Sequence, residues 1–314
     1  MSYPIIGLHH VTATVDEAQA DLDFCVEALG LRLVKKTVNF DNHHVYHFYY
    51  GTERGAPGTI WTTFPYHGRG VRVGTKGAGQ VTATSFSVPS RTLDFWKARL
   101  KEKGTAVEDA PSRFGEPSIV ATDPSGLVME LVATGRDSRQ PWSGGDVDPG
   151  AAVRGLHSVS MTVRDAAPTI EFMTGVLGYA VVDRMKGRIR VTVNGDAPGQ
   201  TIDIVEHPDA AQAVNGVGTV HHVAMAIEGE DQQAALRNEL IARGLQVTPV
   251  MDRQYFRSIY FREPGGVLFE VATVAPGFTA DEALPCLGQD LKLPPWEEAN
   301  RAEIEAGLPR IAVP

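Results

Sequence analysis

Four stretches of the chain alternate apolar and other residues strictly enough to read as half-buried strands. They are Leu8-His9-His10-Val11-Thr12-Ala13-Thr14-Val15, the run from Gly79 to Val88, Leu156-His157-Ser158-Val159-Ser160-Met161-Thr162-Val163, and Val220-His221-His222-Val223-Ala224-Met225-Ala226-Ile227. After each, the apolar spacing becomes helical. Leu22, Phe24, Cys25 and Leu29 lead to Gly30. Leu93, Phe95, Trp96 and Leu100 follow the N-cap candidate Ser90 and lead to Gly104. Ile170, Phe172, Met173, Val176 and Leu177 lead to Gly178, and Leu236, Leu240 and Ile241 lead to Gly244. Glycine just past an apolar helical face is an expected stop, because it takes the left-handed conformation without strain.

Each stretch closes with a strand introduced by glycine: Gly58 to Thr62, Gly126 to Glu130, Gly199 to Asp203 and Gly266 to Glu270. Asp123-Pro124-Ser125-Gly126 and Glu263-Pro264-Gly265-Gly266 are turn signals feeding two of them. Between helix and closing strand there is room for two more strands, such as Arg32 to Asn39 and Val45 to Tyr50. The repeated unit is therefore β-α-β-β-β, four times over, and the fold class is α+β. Residues 137–154, rich in Gly, Asp, Pro and Ser, are expected to link an N-terminal half (1–136, units one and two) to a C-terminal half (155–275, units three and four). Residues 276–314 are expected to form a tail packing on the core, with a helix-like stretch from Trp296 to Ala306.

Alignment of the units exposes the chemistry. The first-strand position reads His10, Ala83, Ser158, His222, and the closing-strand position reads Thr62, Glu130, Asp203, Glu270. Units one and four together offer two imidazoles, a carboxylate and a weak hydroxyl; units two and three offer no histidine. Pairing three with four gives His222, Glu270 and Asp203, a poorer nitrogen set. Two histidines and one carboxylate with open positions suit non-haem Fe(II) oxygen chemistry, although zinc accepts the same residue types. An inward Glu270 on the apolar run Val267-Leu268-Phe269-Glu270-Val271 is costly unless paired or metal-bound. Glu130 has the same setting without a histidine and reads as a salt-bridged residue or a remnant. Trp61 and Phe269 read as core, and Trp142 as a surface residue.

Composition narrows the function classes. A formal charge of −9 and the lack of a basic stretch argue against nucleic acid and anionic membrane as partners. With 314 residues and 43% apolar content, the chain can bury one sizeable core or two. Cys25 and Cys286 are the only cysteines and form no metal or redox motif. The opening Met-Ser-Tyr-Pro-Ile-Ile-Gly-Leu lacks the charged and apolar parts of a leader, and no run reaches membrane-span length. A reducing cytoplasm is the expected location, and a homodimer suits a chain of this size.

These residues carry a family likeness. The four βαβββ units and the His…His…Glu pattern resemble the vicinal oxygen chelate superfamily, whose members form two domains with curved mixed sheets. Within it the chain resembles the hydroquinone-type ring-cleaving dioxygenases. The segments concerned include Leu8-His9-His10-Val11-Thr12, Gly30 to Thr37, Tyr46-His47-Phe48-Tyr49, Pro57-Gly58-Thr59, Arg113-Phe114-Gly115, Arg139-Gln140-Pro141, His221-His222, Gly265 to Glu270 and Leu287 to Lys292. The resemblance implies a metal joining units one and four through His10, His222 and Glu270, with Fe(II) as the ion and Mn(II) as the alternative. It implies supporting roles for His9, Thr12, His221, Arg253 and Tyr260, and an aromatic diol and O2 as substrates. The stretch Asp252 to Tyr260 departs from relatives in its middle. Two other readings remain: a glyoxalase-type lyase or isomerase, which wants a fourth ligand where Thr62 stands, and a metal-free small-molecule binding protein.

Overall fold

A computed structural model describes residues 5–313. Residues 1–4, part of the opening segment read above for a leader, and Pro314 lie outside the described residues.

All four units fold as strand, helix and three strands. Unit one holds β1 (Ile5–Val15), α1 (Ala18–Asp23), β2 (Arg32–Asn39), β3 (Asn42–Gly51) and β4 (Ile60–Pro65). Unit two holds β5 (Gln80–Pro89), α2 (Leu93–Glu102), β6 (Val107–Asp109), β7 (Ser118–Thr122) and β8 (Val128–Thr134). Unit three holds β9 (Gly155–Val163), α3 (Ala166–Gly175), β10 (Ala180–Met185), β11 (Arg188–Thr192) and β12 (Thr201–Glu206). Unit four holds β13 (Thr219–Ile227), α4 (Glu230–Ala242), β14 (Met251–Asp252), β15 (Arg257–Arg262) and β16 (Leu268–Thr273). A tail helix, α5 (Arg301–Gly307), follows.

The strands form two mixed sheets of eight, ordered β14-β15-β16-β13-β1-β4-β3-β2 and β10-β11-β12-β9-β5-β8-β7-β6. Each sheet thus joins one unit from either half of the chain, one with four and two with three. The seams are the antiparallel pairs β1/β13 and β5/β9. Register confirms the unit alignment: Thr12 lies beside Thr62, Ser85 beside Glu130, Ser160 beside Asp203 and Ala224 beside Glu270. Two residues upstream of the first member of each pair stand His10, Ala83, Ser158 and His222.

Period-two alternation sorts each strand into an apolar and a functional face. On β1, Val11, Ala13 and Val15 enter the main core, while His10, Thr12 and Thr14 line a cavity. The same division puts Val223, Met225, Phe269, Val271 and Trp61 in the core, as expected for Trp61 and Phe269. Gly30, Gly104, Gly178 and Gly244 all take positive φ, between 66° and 86°, where the helices end.

Three local expectations need correction. Ser90 does not cap α2: Arg91 takes φ 68°, the chain turns there, and the helix starts behind Thr92. Phe95 and Ile241 are exposed, because α2 and α4 bury narrower stripes centred on Trp96 with Leu100 and on Leu236 with Leu240. Trp142 is more than a surface ring, since the Arg32 guanidinium lies 4.5 Å from its centroid.

Segment 137–154 lies against the sheets. Its Arg139 donates to the carbonyls of Gly58 and Leu156, both at 2.7 Å, and Val147 is buried. The tail packs on the first sheet from the side that carries Tyr49. Buried Lys35 donates to Asp281 and Glu282 at 2.7 Å each, and Phe278 packs on Tyr49 and Tyr255. Among the described residues no helix is long and apolar enough to cross a membrane.

Candidate metal centre

The first sheet places His10 on β1, His222 on β13 and Glu270 on β16, which are three adjacent strands. Among the described residues they form the one group of three metal-capable side chains whose ligand atoms converge. His10 Nε2 lies 3.2 Å from Glu270 Oε2, His222 Nε2 lies 2.8 Å from the same oxygen, and the two nitrogens are 3.2 Å apart. Exposure is 2%, 6% and 0% for the three residues.

Glu270 Oε2 is buried and meets no directed hydrogen bond, although both imidazoles are within reach. A proton shared between the imidazoles satisfies a nitrogen and still leaves that oxygen unmet. A buried carboxylate oxygen facing two nitrogen lone pairs is repulsive unless a cation lies among them. The spacing fits one. Metal bonds of about 2.1 Å put neighbouring ligands about 3.0 Å apart in an octahedron and about 3.4 Å apart in a tetrahedron. The observed 2.8–3.2 Å matches one octahedral face.

Groups behind the ligands fix their direction. Glu270 Oε1 accepts from Ser258 Oγ. His10 Nδ1 meets His9 Nδ1 at 2.8 Å, and His222 Nδ1 meets His221 Nδ1 at 2.7 Å. With Nε2 as the ligating atom, each Nδ1 keeps the proton and donates it to the neighbouring histidine, which fixes the tautomer. Burial, followed by the neighbouring ligand imidazole, pulls both His9 and His221 down to a pKa of about 3. Both are therefore neutral acceptors at physiological pH. Burial pushes the Glu270 carboxyl up, but His10 and His222 outweigh it and hold it well below the ordinary range.

The ligands form one wall of a cavity of about 240 Å³ that also exposes Thr12, His47, Tyr49, Phe64, His221, Arg253, Phe256 and Tyr260. An apolar cavity of about 150 Å³ accepts benzene, so this one has room for a substituted single ring. Larger clefts of about 350 and 460 Å³ lie elsewhere and touch none of the ligands; the chemistry singles out the smaller one. Arg253 Nε donates to Tyr260 Oη at 3.1 Å, and its Nη2 pairs with Asp41 at 3.0 Å across the cavity rim. Thr62 Oγ1 donates to Thr12 Oγ1 at 2.9 Å and meets His47 Nε2 at 2.8 Å, so it is committed away from the ligands.

All eight residues singled out in the sequence gather here, but not equivalently. Thr12, His221, Arg253 and Tyr260 line the cavity with the three ligands. His9 sits behind His10 against Phe256, with ring centroids 4.9 Å apart. His47, Phe256 and Asp41 were not singled out. His47 had a usable signal, being the polar member of the alternating Val45-Tyr46-His47-Phe48-Tyr49 run. Phe256 comes from the departing loop and had none.

The matching point of the second sheet is filled by protein. Arg113 donates through both terminal nitrogens to Glu130, and through one of them to Ser85 at 2.8 Å. Its Nε is 3.4 Å from Asp203, which also binds Arg190 at 2.7 Å and Arg188 at 3.3 Å. Glu130 is thus salt-bridged, one of the two readings its sequence allowed.

Curled eight-stranded sheets of paired βαβββ units, with two histidines and a glutamate meeting at the seam of one, define a class of metalloprotein. The chain belongs to the Glyoxalase/Bleomycin resistance protein/Dioxygenase superfamily, whose family model matches residues 7–131 and 155–271. Among individual proteins it is 42% identical to "Putative ring-cleaving dioxygenase MhqE" of Bacillus subtilis (strain 168), over 97% of this chain and 99% of that one. It is 36% identical to the chlorohydroquinone/hydroquinone 1,2-dioxygenase of Sphingobium indicum, over 95% and 94%. A crystal structure of a "putative dioxygenase" from Bacillus subtilis subsp. subtilis str. 168 superposes with a TM-score of 0.94 at 38% identity, covering 100% of this chain and 99% of that one. Glyoxalase I from Zea mays shares the fold, with a TM-score of 0.64 at 15% identity over 90% of this chain and 97% of that one.

Proposed function

We propose that this protein is a metal-dependent dioxygenase that opens a hydroquinone-like aromatic diol ring with O2, using Fe(II), with Mn(II) as the alternative ion. The observation that carries the reading is the meeting of His10, His222 and Glu270 at one wall of a ring-sized cavity. Full-length relatives named as ring-cleaving dioxygenases support it. An octahedral-face spacing with three protein ligands favours Fe(II) or Mn(II) over a closed tetrahedral zinc site. Once bound, the ion supplies a Lewis acid and a redox path between diol and O2.

The rest of the chemistry falls to side chains. Tyr260 Oη already accepts from Arg253, so its own hydrogen is free for a substrate oxygen. Burial, then the Glu270 charge, raises its pKa, so the phenol stays protonated and acts as a donor. Arg253 faces the same oxygen with a permanent charge and stabilises a ring phenolate. Thr12 accepts from Thr62 and keeps a hydrogen to give. His221 accepts at Nδ1, which leaves Nε2–H as a further donor on the cavity wall. Four donors beside three ligands suit an oxygen that gains negative charge. His9, behind His10, positions the ligand and does not touch substrate. Phe64, Tyr49 and Phe256 present apolar faces to the ring and exclude water. Cys25 and Cys286 are both unpaired, and on that ground we place the protein in a reducing cytoplasm.

Anaerobic metal analysis followed by O2 uptake tests the reading. About one Fe or Mn per chain, O2 consumption with hydroquinone and a ring-opened product are expected. Zinc or nickel with no O2 uptake would establish a glyoxalase-type enzyme instead, and tight diol binding without metal would establish a binding protein.

A further inference from the structure

We propose that His47 is a specificity-determining residue that accepts a hydrogen bond from a ring hydroxyl at the end of the substrate farthest from the metal ligands. The inference rests on the cavity being the diol site.

The hydrogen-bond chain assigns the tautomer. Thr62 has one hydroxyl hydrogen and gives it to Thr12, so at the 2.8 Å contact Thr62 Oγ1 can only accept, and His47 Nε2 is the donor. A neutral imidazole with its proton on Nε2 keeps a lone pair on Nδ1. Burial, then His10 and His222, hold the His47 pKa well below the ordinary histidine range, so the ring stays neutral. Nδ1 has no hydrogen-bond partner among the described residues. Thr37, directly opposite on β2, has a buried hydroxyl that likewise meets no partner, His47 included. Tyr49 and Phe64, with centroids 4.0 and 4.2 Å from the imidazole, hold the ring plane.

Placement supplies the rest. His47 is half-buried, lines the cavity, and stands on β3, two strands away from β1 in the order β1-β4-β3. At about 4.8 Å per strand step, its backbone lies about 10 Å across the sheet from that of His10. Side chains around the ligands are donors: Thr12, His221, Tyr260 and Arg253. His47, two strands across the sheet from β1, offers a neutral acceptor instead. A diol with one oxygen at the ligands and the other across the ring meets both kinds of partner. An ortho diol holds both oxygens at the ligand end and leaves Nδ1 unmet.

Equilibrium binding under anaerobic conditions, measured by calorimetry on the metal-loaded protein, tests this with hydroquinone and with 4-fluorophenol, which lacks the distal donor. The native protein is expected to prefer hydroquinone by about tenfold, the value of one hydrogen bond of about 1.4 kcal/mol. H47F keeps a ring between Tyr49 and Phe64 and is expected to bind the two compounds equally. H47N restores an acceptor and is expected to recover part of the preference. In turnover the loss is expected in KM, with kcat nearly kept, because the contact exists before and during reaction. Equal weakening of both compounds in H47F, or an unchanged preference, would overturn the proposal. Failure of the native protein to bind hydroquinone at all would instead overturn the diol reading beneath it.

Discussion

Replacing Arg113 with Met tests whether the second sheet carries a guanidinium where the first is built for a metal. Asp203 loses little, because Arg190 and Arg188 still bind it. Glu130 loses two charge-assisted bonds and keeps only Ser85, at 6% exposure. Stranding one buried carboxylate in this way costs about 3–5 kcal/mol. At about 2.1 cal/mol/K of unfolding entropy per residue, the whole chain gives about 0.7 kcal/mol/K, so the melting temperature should fall by about 5–8 °C. The double variant Arg113→Met, Glu130→Leu removes both charges and is expected to recover most of the loss. Calorimetry and denaturant midpoints on the four members of the cycle give the coupling directly. Metal content should not change in any of them, since Arg113 and Glu130 belong to the other sheet. A single-variant loss below about 1 kcal/mol, or a double variant as unstable as Arg113→Met, would refute the reasoning.

Two further predictions concern the ligands and a buried acid. Glu270→Gln should abolish stoichiometric metal binding, read by elemental analysis after dialysis, whereas His9→Phe should weaken it only about 10–100-fold by removing the acceptor behind His10. Asp21 is buried, accepts from Tyr50 at 2.8 Å and Thr63 at 2.5 Å, and is raised by burial from 3.8 to about 7. Between about pH 4 and 7 the folded chain keeps a proton that the unfolded chain has released, so stability falls as pH rises through that window and levels off above it. The total is on the order of 2–4 kcal/mol, and Asp21→Asn should flatten the profile measured by urea unfolding at constant ionic strength.

Repetition made much of the fold legible. Four alternating strands, four glycine-stopped helical stretches and four glycine-led closing strands define the unit without any tertiary information. Helix details were less legible because tertiary context decides them. Arg91 takes a left-handed turn that moves the start of α2 past Ser90, and nothing in the local sequence announces it. The candidate ligands were legible because the histidine pairs recur at one position of a strand and Glu270 at the matching position of another. Arg253 and Tyr260 came from family likeness. Phe256 was invisible, since its place beside His9 and His10 depends on a loop folding back over the sheet.

The unit alignment left one matter open that topology decides. Residue types favoured unit one as the partner of the His222 and Glu270 strands but still allowed unit three, with its poorer nitrogen set. The β1/β13 seam sets Thr12 opposite His222 and joins units from opposite ends of the chain. Both sheets then present equivalent points to which carboxylates are directed, and a buried carboxylate that stays ionised needs a cation or several hydrogen-bond donors beside it. In the second sheet Ala83 and Ser158 offer no nitrogen ligand, and β6–β8 supply the charge covalently through Arg113 and the chain before Ser118. In the first sheet no Lys or Arg among the described residues reaches Glu270 Oε2, and its near neighbours there are two imidazole nitrogens. On the proposed reading, one repeat settles the same electrostatic problem twice, with a guanidinium in one sheet and a metal ion in the other. Only where the chain withholds its own cation is there coordination space left for chemistry.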